Sequence, residues 1–242
     1  MRQIIFSISL LKNVILVYNK IDRIFKGDIM KTLDKGIFIS FEGNDGSGKS
    51  TTVRGVYEEL VKRGYDVVVT REPGGSKIAE KIRSLILDND NVGMDARTES
   101  LLYASSRREH VVKVIKPALE AKKVVLCDRY IDSSLAYQGY ARGIGIDEVY
   151  EMNMYATEGL LPDLTVFVVA DPEVGFQRIR KNARELDRLE HEDIKFHKDV
   201  YLGYLEAVKK FPDRIKKVNG EQALEDAVAE AINVVINFVE GK

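Results

Sequence analysis

The sequence has one cysteine, no tryptophan and five prolines in 242 residues. A single thiol excludes an internal disulfide framework and suits a reducing cytoplasm. Cys127 closes the apolar run Val124-Val125-Leu126-Cys127, which reads as a buried small hydrophobe rather than a reactive thiol. An excess of one charge is also missing. Lys and Arg number 37 against 38 Asp and Glu, for a formal net charge of −1. No global field would gather nucleic acid, and none is expected as a partner. No apolar run is long enough to span a membrane. The apolar stretches 4–11 and 14–18 are split by Lys12-Asn13, and no small-residue cleavage site follows, so a signal peptide is not expected. After residue 35 there is no repeat, low-complexity tract or linker. The length and composition suit one soluble domain with at most a small appendage.

Against these absences stands one run, Gly43-Asn44-Asp45-Gly46-Ser47-Gly48-Lys49-Ser50. It fits the phosphate-loop pattern GxxxxGKS, with an apolar strand-like segment before it and a helix-like segment from Thr51 after it. The chemistry needs these residue types. Glycines let successive backbone N–H groups turn toward phosphate oxygens, and the following helix adds the positive end of its dipole. Lys49 reaches the β- and γ-phosphates, and the Ser50 hydroxyl is placed to ligate Mg²⁺. The segment 43–51, including Thr51, is therefore the expected triphosphate site.

From residue 36 onward, strand-like and helix-like segments alternate. Strands are expected at 37–41, 66–70, 123–128, 164–169 and 215–218. Helices are expected at 51–63, 77–87, 98–122 with a kink at Pro117, 133–140, 147–160, 172–181, 194–210 and 222–239. The alternation implies an α/β fold of three layers, with a mainly parallel five-stranded sheet covered on both faces. Ligands in such sheets bind at the carboxyl ends of the strands.

The first 29 residues have two readings besides that of a plain native appendage. Val14 to Asp22 looks like the guanine-specificity motif NKxD of GTPases, Asn19-Lys20-Ile21-Asp22, with its strand before it. Only circularly permuted GTPases place that motif ahead of the phosphate loop, the interval to Gly43 is cramped, and no convincing DxxG follows. The second reading takes Met30 as the natural start, because Lys26-Gly27-Asp28 can be encoded by a purine-rich ribosome-binding sequence just upstream. The expected division is an extension over 1–35 and a catalytic domain over 36–242, with a lid near 181–193.

Further segments follow the phosphate loop in order: Thr70-Arg71-Glu72-Pro73-Gly74-Gly75, Asp128-Arg129-Tyr130, Ser133-Ser134-Leu135-Ala136-Tyr137-Gln138-Gly139, and Glu185-Leu186-Asp187-Arg188. Together they resemble the thymidylate kinase family over about residues 36–240. The resemblance implies a P-loop kinase that moves the γ-phosphoryl of ATP to dTMP with Mg²⁺, acting as a homodimer. It assigns Arg71 to the dTMP phosphate, Asp45 to the sugar 3′-hydroxyl, and Tyr103, where Phe is commoner, to stacking on thymine. Arg107 would donate to a base carbonyl, with Arg108 the neighbouring alternative. Ser134, or Ser133, and Gln138 would meet the base edge. Tyr137 would pack on the sugar and leave no room for a 2′-hydroxyl. Asp128 would hold Mg²⁺ with Ser50, and Arg129 would lie between the donor and acceptor phosphates. Family members carry a catalytic arginine either in the phosphate loop after the aspartate or in the lid. Gly46 follows Asp45 here, which implies the lid form and makes Arg184 the catalytic candidate, ahead of Arg180 and Arg188. A kinase of the same fold acting on UMP or dUMP is the alternative.

Overall fold

In the computed structural model, residues 31–181 and 186–241 are described, apart from the side chains of Ile179 and Lys181. Five strands form one sheet, β1 (Ile37–Glu42), β2 (Val67–Arg71), β3 (Val124–Asp128), β4 (Leu164–Val169) and β5 (Ile215–Asn219). Their order is β2-β3-β1-β4-β5, and every pairing is parallel. The helices are α1 (Lys49–Lys62), α2 (Lys77–Leu87), α3 (Ala96–His110), α4 (Lys116–Glu120), α5 (Ile131–Ser134), α6 (Ile146–Thr157), α7 (Pro172–Lys181), α8 (Ile194–Lys210) and α9 (Leu224–Val239).

The near-continuous apolar runs of β1, β3 and β4 follow from burial on both faces. Ile37, Ile39 and Phe41 of β1 pack toward α1 and α9, against Val53, Leu60, Ala231 and Val235. Phe38 points the other way, into a second core with Val125, Cys127, Ile115 and Tyr130. Each fully buried large apolar side chain contributes about 1.5–3 kcal/mol relative to exposure. β5 lies at an edge, and its Lys216 and Lys217 are exposed. Such lysines discourage pairing with another strand.

The largest departure from expectation lies at 98–122. The stretch is three segments rather than one kinked helix: α3, a wide π-type segment Val111–Ile115, and α4, which begins one residue before Pro117. Proline has no N–H and its ring clashes with the preceding turn, so the helix widens first and restarts where a missing donor costs little. A second π segment, Leu135–Ala141, follows α5 where one plain helix was expected. It lies against α8 so closely that a Cβ on Gly203 would come within 2.8 Å of the Ala136 Cα.

Register determines the site. Phe41 and Arg71 both align with Asp128, so the phosphate loop, the Arg71 loop and the Asp128-Arg129 turn leave the sheet at one level.

Candidate active site

The phosphate loop joins β1 to α1. Gly48 caps α1 in the left-handed conformation (φ 97°), with no side chain spent on the helix end. The first N–H groups of α1 therefore face whatever occupies the loop. The side chain of Asn44 and the Ser47 hydroxyl are buried without a protein partner, as polar groups in an anion cradle can be. Lys49 is buried and donates to the Asn44 carbonyl at 3.1 Å. Burial, and then Arg129 beside it, lower its pKa from the ordinary lysine value. Ser50 Oγ donates to Asp128 Oδ2 at 2.9 Å, so the two expected metal ligands are adjacent.

Gly46 has φ 75°, and a Cβ there would come within 2.4 Å of the Gly175 carbonyl oxygen on α7. An arginine at position 46 is thus excluded twice, by its backbone conformation and by the helix against it.

Beside the loop is a cavity of about 360 Å³. Its lining includes all eight residues that the sequence resemblance assigns to the acceptor nucleotide: Asp45, Arg71, Tyr103, Arg107, Arg129, Ser134, Tyr137 and Gln138. Ser50 and Asp128 line it too, so the acceptor cavity opens onto the donor loop.

The residues left as alternatives differ in their partners. Arg107 is buried and donates to Glu72 Oε2 (2.7 Å), Ser134 Oγ (3.0 Å) and the Tyr130 carbonyl (2.9 Å), and also to Asn153. Arg108 turns outward to Glu158, 2.8 Å away. Arg107 is therefore the cavity arginine. Ser133 and Ser134 both line the cavity, Ser134 bonded to Arg107 and Ser133 to a network around Arg129 and Glu42. Gln138 donates its amide N–H to the buried Glu99 at 3.0 Å. An ionised carboxylate only accepts, so Glu99 fixes which way the amide points. Tyr103 lines the wall, its hydroxyl pKa raised by burial and then by Glu99.

Arg129 adopts a left-handed backbone (φ 72°), a strained conformation of the kind found at functional sites. Its guanidinium meets Asp45 Oδ1 at 2.5 Å, and the Tyr137 hydroxyl donates to Asp45 Oδ2 at 2.9 Å. Burial opposes ionisation of Asp45, but Arg129 and then Lys49 outweigh it and hold the carboxyl well below the usual range. Arg71 donates to both oxygens of Glu80, at 3.1 and 3.0 Å. Arg83 also lines the cavity and donates to the Pro73 carbonyl.

Arg184 and Glu185 lie outside the described residues, as do the Asn19–Asp22 motif and the start at Met30. Of the other lid candidates, Arg188 is buried, bonded to the Ile86 carbonyl (2.7 Å) and to Glu99 (2.6 Å), which turns it away from the donor loop. Arg180 lies over the Phe176 ring, 4.5 Å from its centroid.

A family model described as thymidylate kinase matches residues 41–232. The chain belongs to the thymidylate kinase family. A thymidylate kinase of Oceanobacillus iheyensis is 50% identical over 208 residues, covering 86% of this chain and 92% of the relative. One from Bacillus cytotoxicus is 52% identical over 202 residues, 83% of this chain and 97% of the relative. The crystal structure of thymidylate kinase from Ehrlichia chaffeensis superposes with a TM-score of 0.66 at 34% identity, covering 83% of this chain and 98% of that one. The thymidylate kinase fold thus accounts for the sheet order and the level at which the three loops leave it.

Residues that sequence reasoning missed are Glu42, Glu72, Glu80, Arg83, Glu99 and Tyr204. Glu42 carried a signal, an acid at the end of an apolar strand next to the phosphate loop. Glu99 and Tyr204 carried none, because their partners are distant in sequence.

Proposed function

We propose that the protein transfers the γ-phosphoryl of ATP to dTMP, giving ADP and dTDP. The observation that carries this is the cavity beside the phosphate loop, lined by every acceptor-assigned residue and open to that loop. In this reading the loop N–H groups and Lys49 hold the donor phosphates. Arg71 and Arg129 aim the acceptor phosphate, whose oxygen is already anionic, so no general base is required. Asp45 and Tyr137 meet the sugar and Tyr103 stacks on the base. Arg107 donates to the pyrimidine O4. With its N–H held by Glu99, Gln138 presents its carbonyl oxygen to the N3–H. That pairing fits thymine or uracil and mismatches cytosine, whose N3 accepts.

Ser50 and Asp128 supply hard oxygen donors beside the donor loop, which fits Mg²⁺. The ion would neutralise phosphate charge there. Among the described residues no cluster of three or more His, Cys, Asp or Glu could hold a metal, so in this reading phosphate oxygens and water complete the shell. Arg184 is the proposed lid cation, given the glycine at 46. A cytoplasmic homodimer is also proposed. Among the described residues no helix is long and apolar enough to cross a membrane, and the exposed Leu101 and Tyr155 offer apolar surface to a second copy.

An ADP-release assay across dTMP, dUMP, UMP, CMP and AMP tests the acceptor, with dTMP expected to be preferred by at least tenfold. Equal rates would reject the assignment, and GTP-dependent behaviour requiring Asn19 and Asp22 would favour the GTPase reading.

A further inference from the structure

Glu42 is fully buried, one residue before the phosphate loop, yet nothing in the reaction above uses it. Its surroundings form a chain of hydrogen bonds that ends on Arg129. Arg129 Nη1 donates to Ser133 Oγ (3.1 Å) and to the Tyr204 hydroxyl (2.8 Å). A guanidinium only donates, so both hydroxyl oxygens receive, and each must place its own hydrogen elsewhere. Glu42 Oε2 lies 2.5 Å from Ser133 Oγ and 3.2 Å from the Tyr204 hydroxyl. Glu42 Oε1 meanwhile accepts the Tyr130 N–H at 2.8 Å. The two hydroxyls also lie 2.8 Å from each other, so Tyr204 reaches Glu42 directly or through Ser133. A side chain met by these hydroxyls and the Tyr130 N–H suits an ionised carboxylate. A protonated Glu42 would have its own hydrogen to place among neighbours that are already donating to it, and would be a weaker terminal acceptor for the chain leading from Arg129.

We propose that Glu42 is a positioning residue for phosphoryl transfer, whose carboxylate acts through Ser133 and Tyr204 to hold the Arg129 guanidinium between the donor loop and the acceptor cavity. The proposal rests on the dTMP kinase reading of the site. The charged neighbours are consistent with it. Arg129, Lys49, Arg107 and Arg214 all favour ionisation of Glu42. The acid that most opposes it, Asp132, is paired with Arg214 through two bonds of 2.7 Å. Tyr204 and Cys127, whose pKa values are pushed well up by burial, stay neutral through the working range. Burial, and then Asp132, raise the Glu42 carboxyl to about 7, so its charge is lost just below neutrality.

The test is Glu42→Gln, which keeps the shape and removes the charge. In the parent chain kcat with dTMP is expected to rise with pH through about 7. In the variant kcat at pH 8 falls about tenfold or more, that rise disappears, and KM for ATP stays within threefold. Tyr204→Phe, which cuts one link and leaves Glu42 charged, lowers kcat several-fold and keeps the pH limb. A folded Glu42→Gln enzyme with parental kcat and parental pH limb overturns the proposal. If that variant is not recovered folded, parental kcat in Tyr204→Phe overturns it. The Arg129 side-chain NMR resonance separates this claim from the acceptor assignment. It should titrate near pH 7 in the parent even if dTMP proved not to be the substrate, and an Arg129 signal that does not move overturns the positioning role.

Discussion

A carboxylate buried behind a binding cavity can act without touching the ligand, by fixing the direction in which a neighbour points its polar atoms. Glu99 does this to Gln138 and is itself held by Arg188 (2.6 Å) and Arg142 (3.3 Å). Glu99→Gln leaves the Gln138 amide free to reverse and to offer an N–H where a carbonyl stood. The preference for dTMP over dCMP, measured as a ratio of kcat/KM values, should narrow about tenfold, the effect of roughly one hydrogen bond. Glu42 leads to a stability prediction. Its folded pKa of about 7 lies above the ordinary glutamate value of 4.5, so between those values the folded chain binds more protons than the unfolded one. Stability from this group is therefore present below pH 4.5 and lost as pH rises to 7, by up to about 3 kcal/mol. Denaturant unfolding of Glu42→Gln against the parent should show the variant gaining relative stability across that window and keeping it at pH 8. A residue that costs stability while supporting turnover fits the usual opposition of the two at active sites.

Helix α7 is keyed to the phosphate loop by two glycines. A Cβ on Gly175 would come within 2.4 Å of the Asp45 carbonyl, as one on Gly46 would of the Gly175 carbonyl. Arg178 adds a bond to the Gly46 carbonyl at 3.1 Å. Gly175 has ordinary helical backbone, so Gly175→Ala tests the close approach alone. Displacing α7 should cost about 1–3 kcal/mol in thermal or chemical unfolding. It should also raise KM for ATP about tenfold and leave KM for dTMP within threefold. The same contact explains a feature visible in sequence only as a missing arginine after Asp45. Strand and helix positions were legible along most of the chain, because periodicity and apolar runs are local. The helices 77–87, 172–181 and 194–210 and the strand 164–169 stand where the pattern puts them. The π segments were not legible, since their widening answers Pro117 in one case and packing against Gly203 in the other. Arg107 and Arg108 could not be separated by spacing either, because only the fold brings Glu72, Ser134 and Asn153 around one of them and leaves Glu158 for the other.

For the whole molecule, the family match begins at residue 41 and the sheet at Ile37. The backbone of Lys31 is already tied to Gly64 by a 2.8 Å hydrogen bond. A chain beginning at Met30 is therefore expected to phosphorylate dTMP at the full-length rate and to unfold within 2 °C of the full-length protein. A large loss of activity in the coupled assay would make the first 29 residues part of the enzyme. The proposed dimer would sediment at twice 27.4 kDa. By itself the sequence determined the phosphate loop, the alternation of strands and helices, the family, and a set of residues that line one cavity. Those depend on residue types at short spacings, and a contiguous motif carries its own backbone geometry. Only the tertiary structure showed which of two adjacent arginines lines the cavity, and that the two adjacent serines, both on its wall, have different partners. It alone showed that Glu99 orients Gln138 and that Glu42 closes the chain from Arg129. Those roles come from hydrogen bonds between residues tens of positions apart, and parallel strands joined by crossovers bring such residues together in ways that no local pattern encodes.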